Sequence, residues 1–331
     1  MEIPLADEIF LIIQIMCYVL YILLAISFVF KLLREKHCDL DTGTFLYHFI
    51  ANSIFDILQS LAVIIFQKFL HWKIFVPYYL SSKWLPLIYG STIYGSILGS
   101  VLGSLITVIN RYCALRHVLF FKTFWTKSMC LKIIFLQFMI SILAFSFNFF
   151  YTSEVIYVKT YNFYVFTVIN DLASMMNNVI LSIITFICSV ISIVLNIVIL
   201  RKYTQIMKKT PVRERSKRLL MFFYMAVTTI CLLSLSVEQF VRLYFGIVND
   251  KEKVYFCTFV FYWIIPIFTI VQPIATLIMS KSLRKYFLSF YFHKCLPKSF
   301  QMSKIVAVKT SIPAIKVNKV SNIVKKNVEK N

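Results

Sequence analysis

Seven stretches of roughly 20 or more residues carry almost no charge, and a chain with that much unbroken apolar surface has few folds open to it. They run from Ile9 to Phe30, Thr44 to Phe66, Trp84 to Ile109, Ile133 to Tyr151, Leu172 to Leu200, Leu219 to Tyr244 and Val254 to Met279. Only Asp56, Glu238 and Arg242 are charged within them. A chain of 331 residues that is 60% hydrophobic and 15% charged lacks the polar surface of a soluble fold. Each stretch is rich in Ile, Leu, Val and Phe without strict alternation, which points to helices rather than barrel strands. The expected class is therefore all-α, a bundle of seven transmembrane helices.

The net charge of +21 is distributed unevenly. Of the 35 Lys and Arg, 28 lie after the first, third, fifth and seventh stretches, and six lie in the connections on the other side. The excess of basic residues on cytoplasmic connections puts the N-terminus outside and the C-terminus inside. Glu2, Asp7 and Glu8 stand where a cleavable signal peptide would be basic, so the first span is expected to stay as an anchor. In residues 280–292, Lys281, Arg284 and Lys285 alternate with Leu283, Phe287, Leu288 and Phe290 at helical spacing, an amphipathic helix for the inner leaflet. Residues 1–292 thus form the membrane domain, and the Lys-rich segment 293–331 reads as a disordered cytoplasmic tail. The basic excess has a topological cause, so the partner it implies is a lipid bilayer and not a nucleic acid.

A few residues inside the spans call for a chemical reason. Helical rise puts Asp56 about 18 Å from the inner end of its span, Ser100 about 16 Å above Arg111, and Gln272 about 12 Å from the end of the seventh span. All three can share one level as a polar intramembrane network, because a carboxylate in the membrane is costly and needs partners. Its role is either packing, with a neutral Asp56 bonded to the third helix, or functional. Glu238 and Arg242 are four residues apart, hence on one helix face near the outer interface. They either contact a ligand or pair with each other at the water boundary. Gly95, Gly99 and Gly103 repeat every four residues in the third span, a small-residue stripe that lets neighbouring backbones approach. Pro266 and Pro273 are expected to kink the seventh span. The eight cysteines do not fall into a disulfide framework; Cys295, just past the amphipathic helix, is a candidate for palmitoylation or a free thiol.

The third span ends in Asn110-Arg111-Tyr112, with Ala114 close behind and Phe124-Trp125-x-Lys127 about ten residues further on. With seven helices and the N-terminus outside, this pattern resembles a G-protein-coupled receptor, and more closely the nematode serpentine chemoreceptors. Class gamma fits best, with V, U and X as neighbours, over residues from about 10 to 292. The resemblance implies an extracellular small-molecule or peptide ligand, a heterotrimeric G protein as partner, Asn110, Arg111 and Tyr112 in coupling and activation, and a plasma-membrane location extending to sensory cilia. It also implies a sodium and water pocket at Asp56, completed by Gln272-Pro273; no other cofactor and no enzymatic activity is implied. Asn110 replaces the acidic residue of the common triplet, and Thr276 stands where a Tyr is usual. The alternative function is a multi-pass transporter or ligand-gated channel, but three charges, two of them near one edge, make a poor ion path. A membrane metal hydrolase would need clustered His or acidic ligands, and an opsin a Lys in the seventh span; neither is present.

Overall fold

The computed structural model describes residues 5–34, 40–207 and 212–292. The expected tail 293–331 with Cys295, and the centre of the basic connection at 208–211, lie outside the described residues. The helices are α1 (Leu5–Arg34), α2 (Leu40–Val63), α3 (Leu85–Arg116), α4 (Lys127–Leu143), α5 (Asp171–Met207), α6 (Val212–Ile247), α7 (Lys251–Met279) and α8 (Lys281–Phe292). Seven helices are long and apolar enough to cross a membrane, and α8 falls where the amphipathic pattern puts it. Residues 1–287 group as one unit; of the second, 288–331, the described part is the end of α8.

Local chemistry sets where the helices start and stop. Thr126 caps α4 by accepting the Met129 amide, and Asp250 caps α7 by accepting the Lys253 amide at 3.2 Å. Pro86 sits in the first turn of α3, where its missing N–H costs nothing. Inside α7, Pro266 and Pro273 lie within one continuous helix. Most of the helices run a few residues beyond their sequence outlines, and the second and fourth spans depart from theirs in form. Helix α2 does not stop at Phe66: a π-turn, Ile64–Lys68, and a last turn, Phe69–His71, carry it to His71. That places Lys68, expected in the outer connection, at 5% exposure inside the bundle. Helix α4 ends at Leu143, and the rest of its apolar stretch becomes a tight turn, Ser146–Phe150.

The outer connection between α4 and α5 holds an element that the helical reading did not anticipate. Strands β1 (Ser153–Val158) and β2 (Phe163–Val168) pair antiparallel, Ser153 opposite Val168 and Val158 opposite Phe163. Both strands are rich in β-branched and aromatic residues. The turn closes on Asn162 at φ 56°, a conformation that Asn tolerates better than most residues. Its side chain accepts hydrogen bonds from Lys73 Nζ and Tyr157 Oη, each at 2.6 Å. Phe163, Val165, Phe166 and Val168 of β2 are buried against the outer end of the bundle. Phe166 stacks on Tyr89 of α3 with centroids 4.9 Å apart and meets Phe66 and Tyr79 edge-on.

Helix α3 is the hub: it packs on α2, α4 and α5, and 72% of its apolar window is buried against 22% for α1 and for α4. Helices α5, α6 and α7 pack in sequence, and α7 returns to α1 and α2 to close the ring. Lipid tails are as apolar as Leu, so close packing and hydrogen bonds must hold such helices together. The glycine stripe allows that approach. A methyl group at Gly99 would overlap the Phe55 ring of α2; one at Gly103 would overlap Asn52 and lie 2.8 Å from Gln137 Nε2; one at Gly95 would lie 3.1 Å from the Ser141 carbonyl oxygen. The stripe therefore faces α2 and α4 inside the bundle.

Candidate functional site

Three layers of polar residues run down the bundle. In the middle layer, Asp56 is 2% exposed, and each of its carboxylate oxygens accepts a hydroxyl. Tyr21 of α1 donates to Oδ2 at 2.7 Å, and Ser100 of α3 donates to Oδ1. One side chain thus ties three helices. Gln272 of α7 is buried but makes no hydrogen bond to Asp56 among the described residues. Helix α7 instead contributes Thr269, whose hydroxyl accepts from Ser60 at 3.4 Å and lies 3.5 Å from Tyr18 Oη. A further node joins α2, α3 and α4: Gln137 Nε2 donates to the Gly99 carbonyl at 2.8 Å and to Asn52 Oδ1 at 3.2 Å, and Asn52 Nδ2 donates to Thr107 at 3.3 Å. Tyr21 and Gln137 escape a reading of the sequence because a lone Tyr or Gln in an apolar run gives no periodic signal.

Each Asp56 oxygen thus accepts one hydroxyl, and the oxygens that a sodium ion would meet at this level are those of the carboxylate and of Tyr21 and Ser100. Among the described residues no group of three or more His, Cys, Asp or Glu could hold a metal ion.

At the inner end of α3, Asn110 is 6% exposed with its Nδ2 unbonded among the described residues, while Arg111 is half-buried. The Arg111 guanidinium lies 4.9 Å from the centroid of Phe45 on α2, a cation–π contact. Tyr112 Oη is 3.4 Å from His117 Nε2. The short helix Val118–Phe124 and the Trp125 that follows it fold back under α3 and α4, where Phe121, Trp125, Cys113 and Cys130 form a buried cluster. Trp125 meets the buried His48 ring of α2 edge-on at 5.2 Å. The Phe124-Trp125 motif therefore anchors the inner connection beside the Asn110-Arg111-Tyr112 triplet.

In the outer layer, Glu238 and Arg242 pair with each other. Arg242 Nε donates to Glu238 Oε1 at 3.0 Å with Nη2 at 2.8 Å, Gln239 Nε2 donates to Oε2 at 2.6 Å, and both charged residues are 6% exposed. The Arg242 guanidinium also lies 5.3 Å from the Phe261 centroid on α7. Helix α6 runs on to Ile247, so the pair sits about two turns inside that end, with α7 beside it. Glu238 lines a cavity of about 800 Å³ between α6 and α7, with Leu233, Val237, Val241, Cys257 and Val260; Arg242 is not in that lining. Lys68 is the charge that the sequence outline missed. Its ammonium donates to Gln14 Oε1 at 2.7 Å and lies 5.1 Å from the Phe10 ring and 5.9 Å from the Trp72 ring.

The family model of the serpentine type 7TM GPCR chemoreceptor Srv matches residues 10–292, from the first turns of α1 to the end of α8. The class is thus Srv, one of the neighbours of the gamma class that the motifs favoured. No curated protein matches the chain.

Proposed function

From the premise that this chain belongs to the serpentine type 7TM GPCR chemoreceptor Srv family, we propose that it detects an extracellular chemical at the plasma membrane, including that of sensory cilia, and activates a heterotrimeric G protein. The observation that carries this reading is the inner end of α3, where Asn110 is buried and the half-buried Arg111 lies on the face of Phe45. A guanidinium presents five donors in a rigid planar fork, which suits a partner's carbonyls or carboxylates. Tyr112 and the Trp125 anchor border the same surface.

The outer and inner layers communicate through α6. Ser182 of α5 donates to the Gln239 carbonyl at 3.1 Å, Ser189 to the Leu232 carbonyl at 3.2 Å, and Asn196 to Thr229. These bonds hold α6 against α5 along its length. A ligand that binds more tightly when α6 has shifted moves the population toward that arrangement in proportion to its differential affinity. In this reading Asp56, Tyr21 and Ser100 form a lock between α1, α2 and α3, and agonist affinity that is the same in sodium and in potassium buffer would count against an ion at Asp56.

The test is Arg111→Ala in cells expressing the receptor at matched surface levels, with a calcium or cyclic-nucleotide readout after a ligand screen. Ligand-evoked signalling is expected to vanish while ligand binding stays. Unchanged signalling, or a ligand-gated current that persists without G protein, would overturn the proposal.

A further inference from the structure

Above the α6–α7 cavity lies a second one of about 340 Å³ whose walls are almost wholly aromatic. His71 ends α2, Tyr161 and Phe163 come from the hairpin turn and β2, Phe256 and Phe259 from α7, and Asp7 of α1 supplies the remaining wall. Their rings form a closed circuit. His71 to Phe163 is 5.1 Å between centroids, Phe163 to Tyr161 6.0 Å, Tyr161 to Phe256 6.1 Å, Phe256 to Phe259 6.5 Å, and Phe259 back to His71 5.3 Å. Ring faces are negative and ring edges positive, so a circuit of rings with one carboxylate is a receptacle for a cation that water does not hold tightly.

From this geometry we infer that the cage binds a small organic ammonium ion, the chemical class of ligand that the proposed receptor reads; the assignment of a signalling role to the cage rests on that receptor reading. Asp7 is placed to meet the charge. Its Oδ2 accepts the Trp72 indole N–H at 3.4 Å, and Oδ1 has no hydrogen bond among the described residues. His71 Nδ1 is buried without a hydrogen bond among the described residues, so a primary or secondary amine can donate to it without displacing a partner there, given the tautomer with a lone pair on that nitrogen. A quaternary ammonium would use the ring faces and Asp7 alone. Lys68 is the opposing charge nearby, but it does not line the cavity: Gln14, Phe10 and Trp72 hold its ammonium. Tyr161 and Phe256 line both cavities, so a substituent on the ammonium ion can extend from the cage toward Glu238.

The test is direct binding to the full-length receptor in detergent, by titration calorimetry, with choline, its uncharged carbon isostere 3,3-dimethylbutan-1-ol, and acetate as probes. Choline is expected to bind, and the isostere about tenfold or more weaker. Asp7→Asn and Phe259→Leu are each expected to lower choline affinity about tenfold, while Asp7→Glu stays close to the parent. Unfolding midpoints of the unliganded variants within a few degrees of the parent show that the fold has survived. Equal binding of choline and its isostere, unchanged choline affinity in Asp7→Asn, preference for acetate, or no binding by any probe overturns the inference. The measurement needs no G protein: a receptor that signals to other ligands but does not bind choline defeats the cage alone, and one that binds choline but never couples defeats the receptor reading alone.

Discussion

Removing the Tyr21 hydroxyl takes from Asp56 one of its two donors in a place that solvent hardly reaches. Hydrogen bonds between membrane helices average about 0.6 kcal/mol, while an unpaired buried polar group costs about 1–3 kcal/mol. Tyr21→Phe is therefore expected to lower stability by about 1 kcal/mol, read as a lower thermal midpoint in detergent. In an Asp56→Asn background the same substitution should cost less, and the difference in a double-mutant cycle measures the coupling. Asp250 gives a second, pH-dependent case. Its bonds to the Lys253 side chain and amide hold its carboxyl below the usual carboxylate range. The lowered value belongs to the folded state, so the cap's contribution is present above the ordinary Asp pKa and fades as pH falls through the lowered one. Acid titration of Asp250→Ala should therefore lack a component that the parent shows. Asp56 was legible in the sequence because a charge in an apolar run stands out, whereas Tyr21 was not, since its apolar ring is at home there. Counting residues along helices brought Ser100 to the level of Asp56 but could not tell which face of α7 Gln272 occupies, and Thr269 is the residue that faces α1 and α2.

At the scale of elements, the α3 stripe and the hairpin offer contrasting tests. Gly99→Ala drives a methyl group into the Phe55 ring and should destabilise by about 1–3 kcal/mol. Phe55→Leu should recover part of that loss, whereas a stripe that mattered only for backbone flexibility would show no rescue. Phe166→Ala removes the ring wedged among Tyr89, Phe66 and Tyr79, and should cost about 3 kcal/mol while raising hydrogen exchange in β1 and β2. The seven spans were readable because an apolar run of that length has one common solution in a membrane. The hairpin was not, because its strands are only six residues each and border apolar runs whose signal swamps their alternation. The end of α2 was misplaced for a related reason: Lys68 reads as the start of a loop, and only Phe10, Gln14 and Trp72, two of them distant in sequence, show why a helix can carry it.

For the whole molecule, the distribution of basic residues predicts one orientation. An epitope at the N-terminus should be reached by antibody on intact cells, and one at the C-terminus only after permeabilisation. Seven described helices and the Srv family match agree on the architecture. The π-turn at Ile64–Lys68 has its own bearing on how such a molecule changes over generations. A wide turn holds one residue more than an α-turn, so deleting one of Ile64 to Gln67 restores an ordinary helix while the residues on either side keep their faces. A loss of three nucleotides is thus a route by which a gene could remove the widening beside Lys68 and reshape the outer mouth while leaving the span intact.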